Sequence, residues 1–194
     1  MENKNNAKSK ISIQKAYDTI INEHVNLYHS LNFESIEYIA GSLKDVDQIF
    51  LIGAGRTGFM VKAATMRLMH LGYHVHVVGE TTTPAIGKDD LLIAVSGSGT
   101  TKSIVHAAET ASKNQAQIVC FTTNDASPLA ALSNYTVVIP AAGKQEHENV
   151  ISQQYAGSLF EQAFLLIFDA LIQYLWKQSD NSAEQLWKKH ANME

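Results

Sequence analysis

With 194 residues, 45% of them hydrophobic and 18% charged, the chain can bury one core and is not a disordered polyelectrolyte. The net charge of −4 argues against nucleic acid as the main ligand, while leaving room for a small anion held by local positive potential. The single cysteine excludes an internal disulfide.

Residues 1–10 read as a frayed polar tail without the apolar core of a signal peptide. From Ser12 onward, Ile13, Tyr17, Ile20, Ile21, Leu27, Tyr28 and Leu31 recur at helical spacing. A second helix is predicted over 33–43, with Ile36, Ile39, Ala40 and Leu43 on one face. Five short apolar runs follow, at 48–52, 75–78, 91–95, 118–121 and 135–139. They are near-continuous and rich in β-branched residues, as strands buried on both faces are. Cys120 lies inside the fourth run and reads as a small core residue. Helices are predicted between most strands, over 56–71, 100–113 and 128–133. Alternating strands and helices predict a three-layer α/β sandwich on a five-stranded parallel sheet. The segment 140–152 reads as a polar loop, a long helix is expected over 153–176, and a short one after Ser182. That long helix is interrupted by Glu161, Gln162, Asp169 and Gln173, so it is not read as a membrane span, and the cytoplasm is the expected location. No repeat or linker divides the chain. The expectation is one domain over 1–194, with the tail at 1–10, N-terminal helices over 11–45 and the core over 46–194.

Ligands of open parallel sheets bind beyond the carboxyl ends of the strands. The first such end, Gly53-Ala54-Gly55-Arg56-Thr57-Gly58, fits GxGxxG, and Glu80 stands near where a ribose-binding acid belongs. A dinucleotide site is one reading; glycines placed for a tight turn and close helix packing are the other. The second end, Ser96-Gly97-Ser98-Gly99-Thr100-Thr101-Lys102, points to phosphate. Its glycines let backbone N–H groups converge at a helix start, its hydroxyls add donors, and Lys102 adds charge. A cap alone needs one such residue, not six in a row. The GxxxxGK[ST] spacing of a nucleotide-hydrolysing loop is absent. The third end, Thr122-Thr123-Asn124-Asp125-Ala126-Ser127, is ordinary turn chemistry and is given no role.

Glu161 falls in line with Leu165, Phe168 and Ile172 on the long apolar helix. A carboxylate there either complements the helix start or, desolvated, serves as a base for carbon-bound protons. Asp169 is expected to be a buried, hydrogen-bonded acid. His24, His29, His74, His76 and His106 read as surface or packing residues, and His147 between Glu146 and Glu148 as part of a solvated loop.

These motifs resemble the 6-phospho-3-hexuloisomerases. The resemblance is carried by the GxGxxG segment, Met66-Arg67-Leu68-Met69-His70-Leu71-Gly72 and Val78-Gly79-Glu80-Thr81-Thr82-Thr83-Pro84-Ala85-Ile86. It continues in Ser96-Gly97-Ser98-Gly99-Thr100-Thr101, Gly157-Ser158-Leu159-Phe160-Glu161-Gln162 and the ending His190-Ala191-Asn192-Met193-Glu194. It implies a sugar isomerase (SIS) fold and conversion of D-arabino-hex-3-ulose 6-phosphate to D-fructose 6-phosphate. The reaction would run through an enediol, without metal or cofactor, in formaldehyde fixation by the ribulose monophosphate route after hexulose-phosphate synthase. It implies Glu161 as proton acceptor, and Thr57, Gly97, Ser98, Gly99, Thr100, Thr101 and Lys102 as substrate contacts. Arg56, His70 and His190 are candidates for steadying the enediolate, and a homotetramer is implied. Neither a nucleic acid nor a membrane is an expected partner.

The sequence departs from the family pattern at Thr100, where an acid is usual, at Thr57, where serine is usual, and at Tyr155-Ala156, where Pro-Met is common. The alternatives are a sugar-phosphate sensor of the same fold, an isomerase for arabinose 5-phosphate and a nicotinamide-dependent oxidoreductase. Sensors of this fold usually add a DNA-binding domain, for which 194 residues leave no room. The segment around Arg67 to His70 and the His190 ending favour the hexulose enzyme.

Overall fold

The computed structural model describes residues 11–142 and 152–193; the tail at 1–10 and the loop around His147 lie outside them. Helices α1 (Ile13–Tyr28) and α2 (Phe33–Ser42) come first, opened by the side-chain caps Ser12 and Asn32. Strand β1 (Ile49–Gly53) leads into α3 (Arg56–Leu71) and the short β2 (Val75–Val77). Strand β3 (Leu91–Val95), α4 (Lys102–Lys113), β4 (Gln117–Thr122), α5 (Pro128–Leu132) and β5 (Tyr135–Val138) complete the sheet. The long α6 (Ser158–Lys177) and the short α7 (Ala183–Trp187) close the fold.

All four strand pairings are parallel, in the order β2-β1-β3-β4-β5. Alternate side chains feed two cores. Ile49, Leu51, Leu91, Ile93, Val119 and Phe121 pack with α1, α2, α3 and α6. Phe50, Ile52, Leu92, Ala94, Ile118 and Cys120 pack with α4 and α5. This is the expected three-layer sandwich. Each fully buried Phe or Leu contributes roughly 1.5–3 kcal/mol. Cys120 is a core residue whose thiol burial pushes up.

The chain leaves β1 through α3 on one face and β3 through α4 on the other. The loops beyond β1 and β3 therefore diverge and leave a crevice between them. The connection from β2 to β3 contains no helix, so beyond the edge of α4 the face of β1 and β2 is covered by the loop after β2. A cavity of about 510 Å³ with mostly apolar walls lies there, between Phe50, Ile52 and Leu92 of the sheet and His106 of α4.

Three expectations need correction. The last long helix starts at Ser158 rather than near residue 153, because Ala156 (φ 54°) and Gly157 (φ 77°) take left-handed backbone that interrupts a helix. Asp169 is exposed, on the face of α6 that turns away from the sheet, and is not a buried acid. Similarly, α4 starts at Lys102 because Gly99 (φ 62°) and the extended Thr101 keep the preceding residues in the loop. By length and composition α6 could cross a membrane, but its apolar residues from Leu159 to Leu175 largely fill the core.

Candidate functional site

Four helices open with a side-chain cap: α1, α2, α5 and α7, through Ser12, Asn32, Ser127 and Ser182. The other three, α3, α4 and α6, have no side-chain cap bond, and these are the three that meet at the crevice. Their first-turn N–H groups carry partial positive charge, which suits an anion.

Glu161 sits in the first turn of α6 and is 2% exposed. Arg56, the first residue of α3, places Nη1 2.7 Å from Glu161 Oε2. The hydroxyl of Thr57 donates to Oε1 at 3.2 Å. A carboxylate taken out of water needs a counter-charge and donors, and the β1 loop supplies both. Thr57 is itself buried and also lines a cavity of about 50 Å³ with Ala54, Ser96, Gly97, Ser98 and Thr101. It thus joins the carboxylate to the second loop. Phe160, beside Glu161 in sequence, presses its ring on Gly97, where a Cβ would lie 3.4 Å from Cδ1.

In the second loop the hydroxyls bond chiefly to one another. Ser96 and Thr101 hydroxyls lie 3.1 Å apart, and Ser98 Oγ accepts from the N–H and the hydroxyl of Thr100 at 3.3 and 3.0 Å. These bonds between exchangeable groups can be traded for bonds to phosphate oxygens. Lys102 opens α4 beside them, on the exposed side.

The loop is braced from the β4 end, to which sequence reasoning gave no role. Gly97 O accepts from the Thr123 N–H at 2.9 Å, from the Thr123 hydroxyl at 2.9 Å and from the Thr122 hydroxyl at 3.1 Å. Gly99 O accepts from Leu129 N–H at 3.1 Å. A Cβ at Gly99 would lie 2.1 Å from Ser127 Oγ, so only glycine fits there. The N-terminal helices also contribute. Glu23 of α1 accepts from Ser152 Oγ, Gln153 N–H and the Gln154 side-chain amide at 2.6–2.9 Å, fixing the approach to α6. His24 meets Gln162, the neighbour of Glu161, at 3.1 Å.

Arg56 and Glu161 are therefore together with the two loops. His70 and His190 are not. His70 lies 14 residues along α3 from Arg56, about 21 Å at 1.5 Å per residue, and His190 stacks on His70. The GxGxxG reading resolves to packing. A Cβ at Gly53 would lie 2.8 Å from Val61 and one at Gly58 2.9 Å from Gly53 O, while Glu80 pairs with Lys62 at 2.6 Å.

The parallel sheet thus carries a buried, cation-paired carboxylate beside a hydroxyl-lined loop. The SIS domain profile matches residues 42–166. The chain is 50% identical over 161 residues to a 3-hexulose-6-phosphate isomerase of Mycobacterium gastri, covering 83% of this chain and 81% of that one. It is 37% identical over 176 residues to the 3-hexulose-6-phosphate isomerase of Bacillus subtilis, covering 90% and 95%. The crystal structure of a Methanococcus jannaschii protein, from which the same isomerase function was inferred, superposes with a TM-score of 0.80 at 27% identity, covering 92% and 99%. The chain belongs to the SIS-domain family and, within it, to the 3-hexulose-6-phosphate isomerases.

Proposed function

We propose that this isomerase interconverts D-arabino-hex-3-ulose 6-phosphate and D-fructose 6-phosphate, with Glu161 as the base and the 96–102 loop as the phosphate seat. The observation that carries this reading is the position of Glu161: buried, in the first turn of α6, and shared between Arg56 and Thr57 at the edge of that loop.

The carbonyl must move from C3 to C2. Glu161 takes the proton from C2, the electron pair forms the C2=C3 bond, and the C3 oxygen takes up negative charge. The hydroxyl proton of O2 passes to O3 through the enediol, the electron pair left on O2 reforms the carbonyl at C2, the C2=C3 pair takes the proton back from Glu161 at C3, and the base is ready again. Arg56 is the group in place to steady the enediolate oxygen. Its side chain is 47% exposed, so it can turn from the carboxylate towards substrate, leaving Thr57 to orient Glu161. The phosphate is bound far from the reacting carbons. Gly97, Ser98, Gly99, Thr100 and Thr101 with Lys102 supply binding energy that fixes C2 against the base.

The chain works as one SIS unit in the cytoplasm and assembles as a homotetramer. An exposed apolar stripe of Ile13, Tyr17, Ile21, Val25 and Tyr28 along α1 supports self-association. It acts after hexulose-phosphate synthase in formaldehyde fixation. The test is a coupled assay with formaldehyde, ribulose 5-phosphate and hexulose-phosphate synthase. Fructose 6-phosphate forms if the reading is right; accumulation of the hexulose phosphate alone overturns it.

A further inference from the structure

The far end of α3 holds charges that the reaction does not use. His70 is 5% exposed, and its Nδ1 is the one buried side-chain nitrogen or oxygen among the described residues without a hydrogen-bond partner. Its ring stacks on His190 with centroids 3.9 Å apart, and His190 lies 4.7 Å from the ring of Trp187. Arg67, His70 and His190 line a small cavity of about 40 Å³ whose remaining walls are Leu71, Ile172, Trp176 and Leu186. Lys189 reaches over Gly72, where its Nζ lies 2.6 Å from the place of a Cβ. Burial holds His70 below its ordinary pKa, and the charges of His190, Arg67 and Lys189 push it further down.

Cations gather at helix C-termini because the backbone carbonyls there favour them. That accounts for Lys189, which reaches over Gly72 at the end of α3. It does not account for an imidazole buried among such cations with a nitrogen left unbonded, which is costly. Among the described residues, no ion pair joins Arg67, Lys189 or His190 to a carboxylate. An anion reverses every unfavourable feature at once. It accepts from the His70 Nδ1–H, offsets the neighbouring charges and sits against dry walls that strengthen each contact. The cavity holds on the order of one or two waters, so it takes the oxygens of a small oxyanion rather than a sugar ring.

We propose that Arg67, His70, Lys189 and His190 form a second anion site, specific for a phosphate-type oxyanion, at the opposite end of α3 from Glu161. The site stands independently of the isomerase reading.

The chain has two tryptophans, and both report on this pocket: Trp176 lines it and Trp187 stacks on His190. The experiment titrates the full chain with inorganic phosphate, and separately with fructose 6-phosphate, at constant ionic strength while tryptophan emission is followed. A saturable change is expected. It persists in Ser98→Ala and weakens at least ~10-fold in apparent affinity in Arg67→Ala, a substitution at an exposed side chain. A response to inorganic phosphate identifies the free ion as sufficient. A response to fructose 6-phosphate alone identifies the phosphoryl group of a sugar ester; both support the site. Flat emission with both ligands overturns the proposal. So does a change whose apparent affinity falls about tenfold in Ser98→Ala, as binding at the 96–102 loop would, or that is unaltered in Arg67→Ala with Lys189→Ala.

Discussion

The loops after β1 and β3 look alike in sequence, and they do different work. Both follow a buried strand, both are glycine-rich, and both open a helix without a side-chain cap. In the first, Gly53 and Gly58 are there for contact: the strand end and the helix start touch so closely that a Cβ at either would collide. The side chains of Arg56 and Thr57 turn inward onto Glu161. In the second loop the hydroxyls bond mainly to one another, and the glycine carbonyls are gripped from behind by Thr122, Thr123 and Leu129. Glycine spacing alone therefore speaks for a tight turn. Hydroxyls with no fixed structural partner speak for a ligand.

Substitutions can break this division of labour. The largest effect is expected from Glu161→Gln, which keeps the shape and removes the base. Turnover should fall by on the order of 10³-fold while fructose 6-phosphate still protects the chain in a thermal-shift titration. Near-normal turnover would refute the role of the carboxylate. Next is Ser98→Ala in the second loop, which removes one charge-assisted bond to the phosphate and should raise KM about tenfold with kcat little changed. An unaltered KM would take the phosphate out of this loop. Gly58→Ala tests the first loop. Its added methyl meets Gly53 O, so it should cost about 1–3 kcal/mol of stability in denaturant melts. A KM defect without loss of stability would mean that the first loop, too, binds the phosphate directly. The smallest effect is expected from Thr123→Val, which removes one brace on Gly97 O. KM should rise roughly two- to tenfold, and Thr123→Ser should restore it. A loss of kcat alone would place Thr123 nearer the reacting carbons than the bracing role allows.

Much of this was legible in the sequence. The bounds of α3 follow from its periodicity and from the glycines at either end, and each strand run was visible because strands buried on both faces leave little room for polar residues. The loop 96–101 announced itself through an excess of hydroxyls. What escaped is what sequence spacing does not encode. Alanine carries no signal for left-handed backbone, so periodicity alone starts α6 near residue 153, ahead of the break at Ala156. Asp169 was read as buried because its neighbours are apolar, yet one face of α6 turns away from the core. The braces at Thr122 and Thr123 had the composition of any turn. The grip of Glu23 on residues 152–154 joins groups about 130 residues apart, with no local pattern to betray it. The separation of His70 from Arg56, by contrast, was available in advance: 14 helical residues are too many for one small pocket.

The pairing of Thr57 and Arg56 with Glu161, across 104 and 105 residues, has a consequence for how the molecule matures. The sheet can assemble from neighbouring segments as the chain emerges. The base arrives only with α6, after every strand has been made. Closing so long a loop is slow relative to local pairing, so a sheet finished ahead of α6 would present the 96–102 loop without Glu161 beside it. Recovery of activity during refolding then times the docking of α6, whereas recovery of strand signal times the sheet, and the interval between them measures how late the active centre is completed.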